Sequence, residues 1–192
     1  EKKDTNTYIK TLDQSKVTVG PAESMSKSKK NTIDPEEMIN KFGADAVRLF
    51  ILSDSPPEKD IQWSDNGVSA ANKFLQKIWN LSSSVINDKN KKRNEYLEKE
   101  FNLQISSYIK KIDSSIKSFR FNVSIALFHQ LYSCFRDNFD KINNEVLKGN
   151  LINFMKLLIP FSPHIAFECL ELLKCKNINN WPIIQSNIEE KL

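Results

Sequence analysis

From residue 71 onward, apolar side chains recur every three or four positions. Ala71, Leu75, Ile78, Ser82 and Val85 fall at i, i+4, i+7, i+11 and i+14, with Phe74 and Trp79 widening the stripe. After a polar, basic connection at 87–94, Phe101, Ile105, Tyr108, Ile112, Ile116 and Phe119 repeat the pattern. Val123, Leu127, Leu131, Cys134, Phe135 and Ile142 mark a third stretch, and Leu147, Leu151, Met155 and Leu158 a fourth before Pro160 interrupts it. Past Pro163, Ile165, Ala166, Cys169, Leu170 and Leu173 mark one more. Four or five amphipathic helices with short joins predict an antiparallel helix bundle, with these stripes as its core.

The first third reads differently. Residues 8–12 and 16–19 are short β-favouring runs around a turn at Asp13-Gln14-Ser15, which predicts a small hairpin closed by Gly20-Pro21. Asp34, Pro35 and Glu37 then stand as cap, first helical residue and capping-box partner, and Gly43 ends that helix. A second helix is expected over 45–53, with Val47, Phe50 and Ile51 on one face and Asp45 and Arg48 spaced to form a weak surface pair. Pro56-Pro57 forces extended backbone, so the stretch up to Trp63 should cross from one substructure to the next. The expected fold is therefore mainly α: a small N-terminal β-hairpin and helix pair, then an antiparallel bundle. The expected domains are 1–62 and 63–192.

Composition narrows the class. The chain has 192 residues, 40% hydrophobic and 27% charged, which is a globular composition. A net charge of +4 permits a nucleic-acid partner without requiring one. No run of about 18 apolar residues is present, so no membrane-spanning helix is expected. The start at Glu1 reads as a piece of something longer. Cys134, Cys169 and Cys175 sit in apolar helical surroundings without zinc-ligand spacing and read as reduced, buried thiols of a cytoplasmic protein. His129 and His164 lack metal-spaced partners and read as structural or surface histidines, and the four glycines form no phosphate cradle.

One stretch carries candidate chemistry. Residues 24–31, Ser-Met-Ser-Lys-Ser-Lys-Lys-Asn, place three lysines and three hydroxyls just before a helix start. A cationic loop leading into a helix N-terminus can hold phosphate, because lysines and unpaired N–H groups present positive charge together. Short Ser/Lys-rich stretches are also common as solvated linkers. Met25 argues for a docking loop, since an adaptable thioether suits alternative apolar pockets.

Met25-Ser26-Lys27-Ser28 resembles the Lys-Met-Ser-Lys-Ser loop of class I aminoacyl-tRNA synthetases, matching four of its five positions. Asp34-Pro35 and residues 43–50, Gly-Ala-Asp-Ala-Val-Arg-Leu-Phe, match its continuation in the Leu, Ile, Val and Met group. Residues 56–64 with Gly67-Val68, Phe74-Leu75 and Trp79 are similar to the leucyl enzymes in particular. Phe121-Asn122, Ala126 and residues 158–166 resemble the family's helical anticodon-binding domain, and Trp181-Pro182 its closing segment.

The resemblance implies a ligase that activates leucine with ATP and magnesium as substrate, then attaches it to tRNA(Leu), with no tightly bound cofactor and no membrane. It implies Lys27 as the catalytic residue and Ser24, Met25, Ser26, Lys27 and Ser28 as the ATP-binding loop. Ser24 stands where the family has its first lysine, so Lys29 or Lys30 compensates, or Lys27 acts alone, or the loop is impaired. The resemblance also implies a nucleotide-binding half outside this chain, without which the chain is not expected to aminoacylate. The alternatives are another synthetase of the same group and a helical RNA-binding module without chemistry.

Overall fold

The computed structural model describes residues 2–4, 7–9, 13, 15–18, 21, 23–89 and 94–182. By packing, the chain divides into two compact units, Glu1–Asp34 and Pro35–Leu192.

The first unit contains three short antiparallel strands in the order β1-β2-β3: β1 Lys2–Asp4, β2 Thr7–Ile9 and β3 Lys16–Thr18. Thr7 pairs with Thr18, Tyr8 with Val17 and Ile9 with Lys16. Residues 10–12, 14, 19 and 20, on which much of the expected hairpin connection falls, lie outside the described residues.

The second unit is helical: α1 Pro35–Phe42, α2 Ala44–Asp54, α3 Asp65–Asn87, α4 Glu95–Lys117, α5 Phe121–Asn138, α6 Asn144–Leu158 and α7 Pro163–Leu172. Gly43 separates α1 from α2 as expected. Its N–H reaches the Ile39 carbonyl at 2.8 Å, and its φ of 84° belongs to the left-handed region that only glycine enters without strain. Side-chain caps set the starts of α3, α4 and α6. The Ser64 hydroxyl accepts from the Gly67 N–H, the Asn94 side chain from Leu97 and the Asn143 side chain from Glu145.

The core is built on phenylalanine. Phe101, Phe128, Phe135, Phe154 and Phe161 are fully buried. They form a chain of ring contacts, Phe101 to Phe135 at 5.3 Å, Phe135 to Phe154 at 6.0 Å, Phe154 to Phe128 at 5.9 Å and Phe128 to Phe161 at 5.0 Å. Each such contact adds about 0.5–1.5 kcal/mol beyond burial and ties α4, α5, α6 and the α6–α7 turn together. Polar links also cross the interior, among them the Ser115 and Ser124 hydroxyls, which meet at 2.7 Å, and the Asn144 amide, which donates to the Val85 carbonyl at 2.7 Å.

The predicted stripes hold for α6, where Leu147, Leu151, Met155 and Leu158 are all buried. On α5 the predicted Leu131, Cys134 and Phe135 are buried, but at the start of the helix Ser124, Ile125 and Phe128 face inward whereas Val123 is exposed. Trp79 and Phe119 lie on the surface rather than in the stripes assigned to them. On α2 the inward residues are Asp45, Ala46, Leu49 and Phe50, and Ile51 is exposed.

The close approach of α2 and α3 rests on one missing side chain. A Cβ on Gly67 would lie 2.4 Å from Phe50 Cε2. Trp63 also packs on the Phe50 ring, edge-on at 5.5 Å, while its indole N–H donates to Asp65 Oδ1 at 2.7 Å.

Candidate functional site

The 24–31 loop is a closed turn tied by its own residues. The Lys29 N–H donates to the Ser26 carbonyl and the Lys30 N–H to the Lys27 carbonyl, each at 3.2 Å. Asn31 draws the ends together: its Oδ1 accepts the Ser26 N–H at 2.8 Å and its Nδ2 donates to the Ser24 carbonyl at 3.4 Å. Within the turn the Ser26 and Ser28 hydroxyls lie 3.2 Å apart, and Ser26 Oγ also accepts from the Lys29 N–H at 3.3 Å. Lys30 holds a φ of 53°, unusual for a residue with a Cβ, where the turn reverses toward α1 in sequence.

The structure thus brings Ser24, Met25, Ser26, Lys27 and Ser28 into one turn, and it separates the lysines. Lys29 Nζ pairs with Glu23 Oε2 at 2.8 Å on the surface, a weak pair that still draws its charge toward Glu23. Lys27 is exposed, and its ammonium has no partner among the described residues. Met25 is 46% exposed, an apolar side chain held out in water. Sequence reasoning assigned no role to Asn31. A side-chain amide placed to bond across an adjacent turn was the available signal.

A second constellation lies in the helical unit. The Asp45 carboxylate accepts the Ile165 N–H at 2.8 Å and the His164 N–H at 3.3 Å, and its Oδ1 lies 2.8 Å from His164 Nδ1. Ser162, at the cap position of α7, makes no side-chain cap bond, so a carboxylate from α2 caps that helix instead. Arg48 Nη2 donates to the Pro160 carbonyl at 2.9 Å, and Ser162 Oγ to the Asp45 carbonyl at 3.4 Å. The expected surface pair of Asp45 with Arg48 is replaced by two separate links from α2 to the turn before α7 and its first residues. His164 is the ring partner in this cluster. His129 stacks on Phe74 at 3.6 Å, and its pKa is lowered, first by burial and then by the Lys77 charge.

Two family models match the chain. Residues 3–64 match the class I tRNA synthetases of the I, L, M and V group, and residues 98–192 match the anticodon-binding domain of tRNA ligases. The leucine–tRNA ligase of Prochlorococcus marinus strain MIT 9312 is 40% identical over 176 residues, covering 89% of this chain and 20% of that protein. The leucine–tRNA ligase of Bartonella henselae is 35% identical over 189 residues, covering 91% of this chain and 21% of that protein. A solved ternary complex of Agrobacterium radiobacter K84 agnB2 LeuRS with tRNA and LeuAMS superposes with a TM-score of 0.77 at 28% identity, covering 85% of this chain and 23% of that one.

The chain belongs to the class I tRNA synthetases of the isoleucine, leucine, methionine and valine group. Within that group it belongs with the leucyl-tRNA synthetases, and residues 98–192 are anticodon-binding domain. It spans about 20% of the length of the curated relatives it matches.

Proposed function

We propose that the protein containing this chain is a leucine–tRNA ligase, and that the chain supplies its phosphate-stabilising loop and its tRNA-docking bundle. Residues 1–62 form the end of the catalytic domain and 63–192 the anticodon-binding domain. The strands at 7–9 and 16–18 form the hairpin that delivers the loop.

In the first step the leucine carboxylate attacks the α-phosphorus of ATP, supplied with magnesium as substrate, and pyrophosphate departs. Negative charge grows on the departing phosphates, and a lysine already aimed there lowers the barrier most. Lys27 is that residue, and Ser24, Met25, Ser26, Lys27 and Ser28 make up the ATP-binding loop. In the second step a ribose hydroxyl of the terminal adenosine of tRNA(Leu), held by the bundle, attacks the carbonyl carbon of the leucyl-adenylate so formed, taking the leucyl group as AMP departs. The chain alone does not aminoacylate, and the protein works in the cytoplasm.

The observation that carries this reading is the exposed Lys27 ammonium, without a partner among the described residues, on a turn that Asn31 closes. In the full-length protein, ATP–pyrophosphate exchange should depend on leucine over isoleucine, valine and methionine. Lys27→Ala should slow it on the order of 100-fold, the scale of losing one preorganised donor. Near-normal exchange in that variant would sink the assignment of Lys27.

A further inference from the structure

The charge of this chain is unevenly spread. Against 28 Lys and Arg and 24 acids overall, the stretch from Phe101 to Phe135 carries Lys110, Lys111, Lys117 and Arg120 and a single acid, Asp113. Asp113 is already engaged: Oδ2 pairs with Lys117 Nζ at 2.7 Å and Oδ1 accepts the Trp181 indole N–H at 2.9 Å. At the corner between α4 and α5, Lys110, Lys111, Ser114, Arg120, Val123 and Leu127 line an open groove of about 380 Å³. Arg120 holds its Nε on Ser118 Oγ at 3.1 Å, and its remaining guanidinium nitrogens meet no carboxylate among the described residues.

Phe119 stands at the same corner. Helix α4 ends there in a Schellman turn: the Arg120 N–H reaches the Ser115 carbonyl at 2.8 Å and the Phe119 N–H the Ile116 carbonyl at 3.0 Å. That turn places its C′ residue in the left-handed region, which favours glycine, yet Phe119 occupies it with φ 56°. Phe119 is 64% exposed, and its ring meets Phe121 edge-on at 5.7 Å. A strained position thus presents an aromatic face to water beside a row of cations. Folding alone would favour glycine here.

We propose that the α4–α5 corner is an RNA-docking surface, on which Lys111 and Arg120 take backbone phosphates of tRNA and Phe119 stacks on an exposed base or ribose face. The assignment rests on the ligase reading above and adds where the bundle touches its RNA. Lys111 and Arg120, neither of which meets a carboxylate among the described residues, suit a polyanion, and an exposed aromatic face suits nucleobases, which all offer a π surface. Arg120 at the groove edge can meet a phosphate with two parallel bonds.

The test measures binding of tRNA(Leu) to the full-length protein across a salt series. The double variant Lys111→Gln/Arg120→Gln should weaken binding and flatten the slope of log K against log salt by about 1.5, the loss of two phosphate contacts. Phe119→Gly removes the ring and supplies the residue the turn favours, so thermal stability should hold or rise while tRNA affinity falls about tenfold. That opposite movement separates docking from a structural role. Unchanged affinity and slope in both variants would overturn the proposal. Leucine-dependent exchange measured on the unaltered protein judges the ligase reading independently: exchange present with tRNA binding indifferent to the corner refutes only the corner.

Discussion

Asp45 Oδ1 lies 2.8 Å from His164 Nδ1, joining residues 119 apart in the chain, and the same carboxylate caps α7 through the N–H groups of His164 and Ile165. The carboxylate is nearly buried while the imidazole is largely exposed, so most of the energy of this cluster lies in the two backbone bonds. Asp45→Ala leaves two helix-start N–H groups without an acceptor and should cost about 2–3 kcal/mol. His164→Ala removes only the exposed ring and should cost under about 1 kcal/mol. Chemical denaturation of the two variants checks the order, and equal losses would show that the ring bond dominates.

That cluster also marks the limit of sequence reading. The spacing of Asp45 and Arg48 suggests a local pair, and nothing local reveals that each finds its partner more than a hundred residues away. Helix periods were legible because burial repeats with the turn. Phase was less so at the start of α5, where Val123 and Leu127 neighbour the inward Ile125 and Phe128 and the phase depends on what α2 and α4 present. Phe119 continues the α4 stripe in sequence but lies beyond the helix end, where the Schellman turn carries it out to water. In the loop, Lys27 could be singled out by resemblance, whereas the closure by Asn31 depends on a turn whose shape the sequence does not display.

Gly67 and Phe50 supply a second test. Alanine is the better helix former by about 1 kcal/mol, so Gly67→Ala would stabilise an open helix. Here the added methyl meets the Phe50 ring at 2.4 Å, and overpacking of this kind costs about 1–3 kcal/mol. The net change should be destabilising. Adding Phe50→Leu should give back part of the loss, so the pair should be non-additive in a double-mutant cycle. An additive pair, or a more stable Gly67→Ala, would mean that the two helices separate without cost.

Cys134 should leave a signature at high pH. Burial, followed by the Asp137 charge, pushes its thiol up to about 11 from 9.0, while the thiol donates to Gln104 Oε1 at 3.2 Å. The folded state therefore holds this proton after the unfolded chain has begun to release it. The resulting stabilisation is full below the unfolded thiol pKa, declines as pH rises above it, and is lost once pH passes about 11. Stability measured from pH 8 to 11 should fall less steeply in Cys134→Ala than in the unaltered protein, once the lower starting value is subtracted. Parallel curves would show that the buried thiol does not contribute.

The last prediction concerns what Asn31 does for Lys27. Asn31 spans the loop, taking the Ser26 N–H and giving to the Ser24 carbonyl, and both bonds lie on an exposed surface where they add little to folding. Asn31→Ala should leave the unfolding midpoint almost unchanged, within about 0.5 kcal/mol of stability. Its effect should fall on the reaction, because a loop that must be ordered as the phosphates develop charge loses the advantage of a preset lysine. In leucine-dependent ATP–pyrophosphate exchange by the full-length protein, kcat should fall about tenfold while KM for ATP moves little, the pattern of an interaction made chiefly in the transition state. Asn31→Asp keeps the acceptor for Ser26 and should recover part of the rate. A rise in KM alone would place Asn31 in ground-state ATP binding and leave Lys27 without the support assigned to it here.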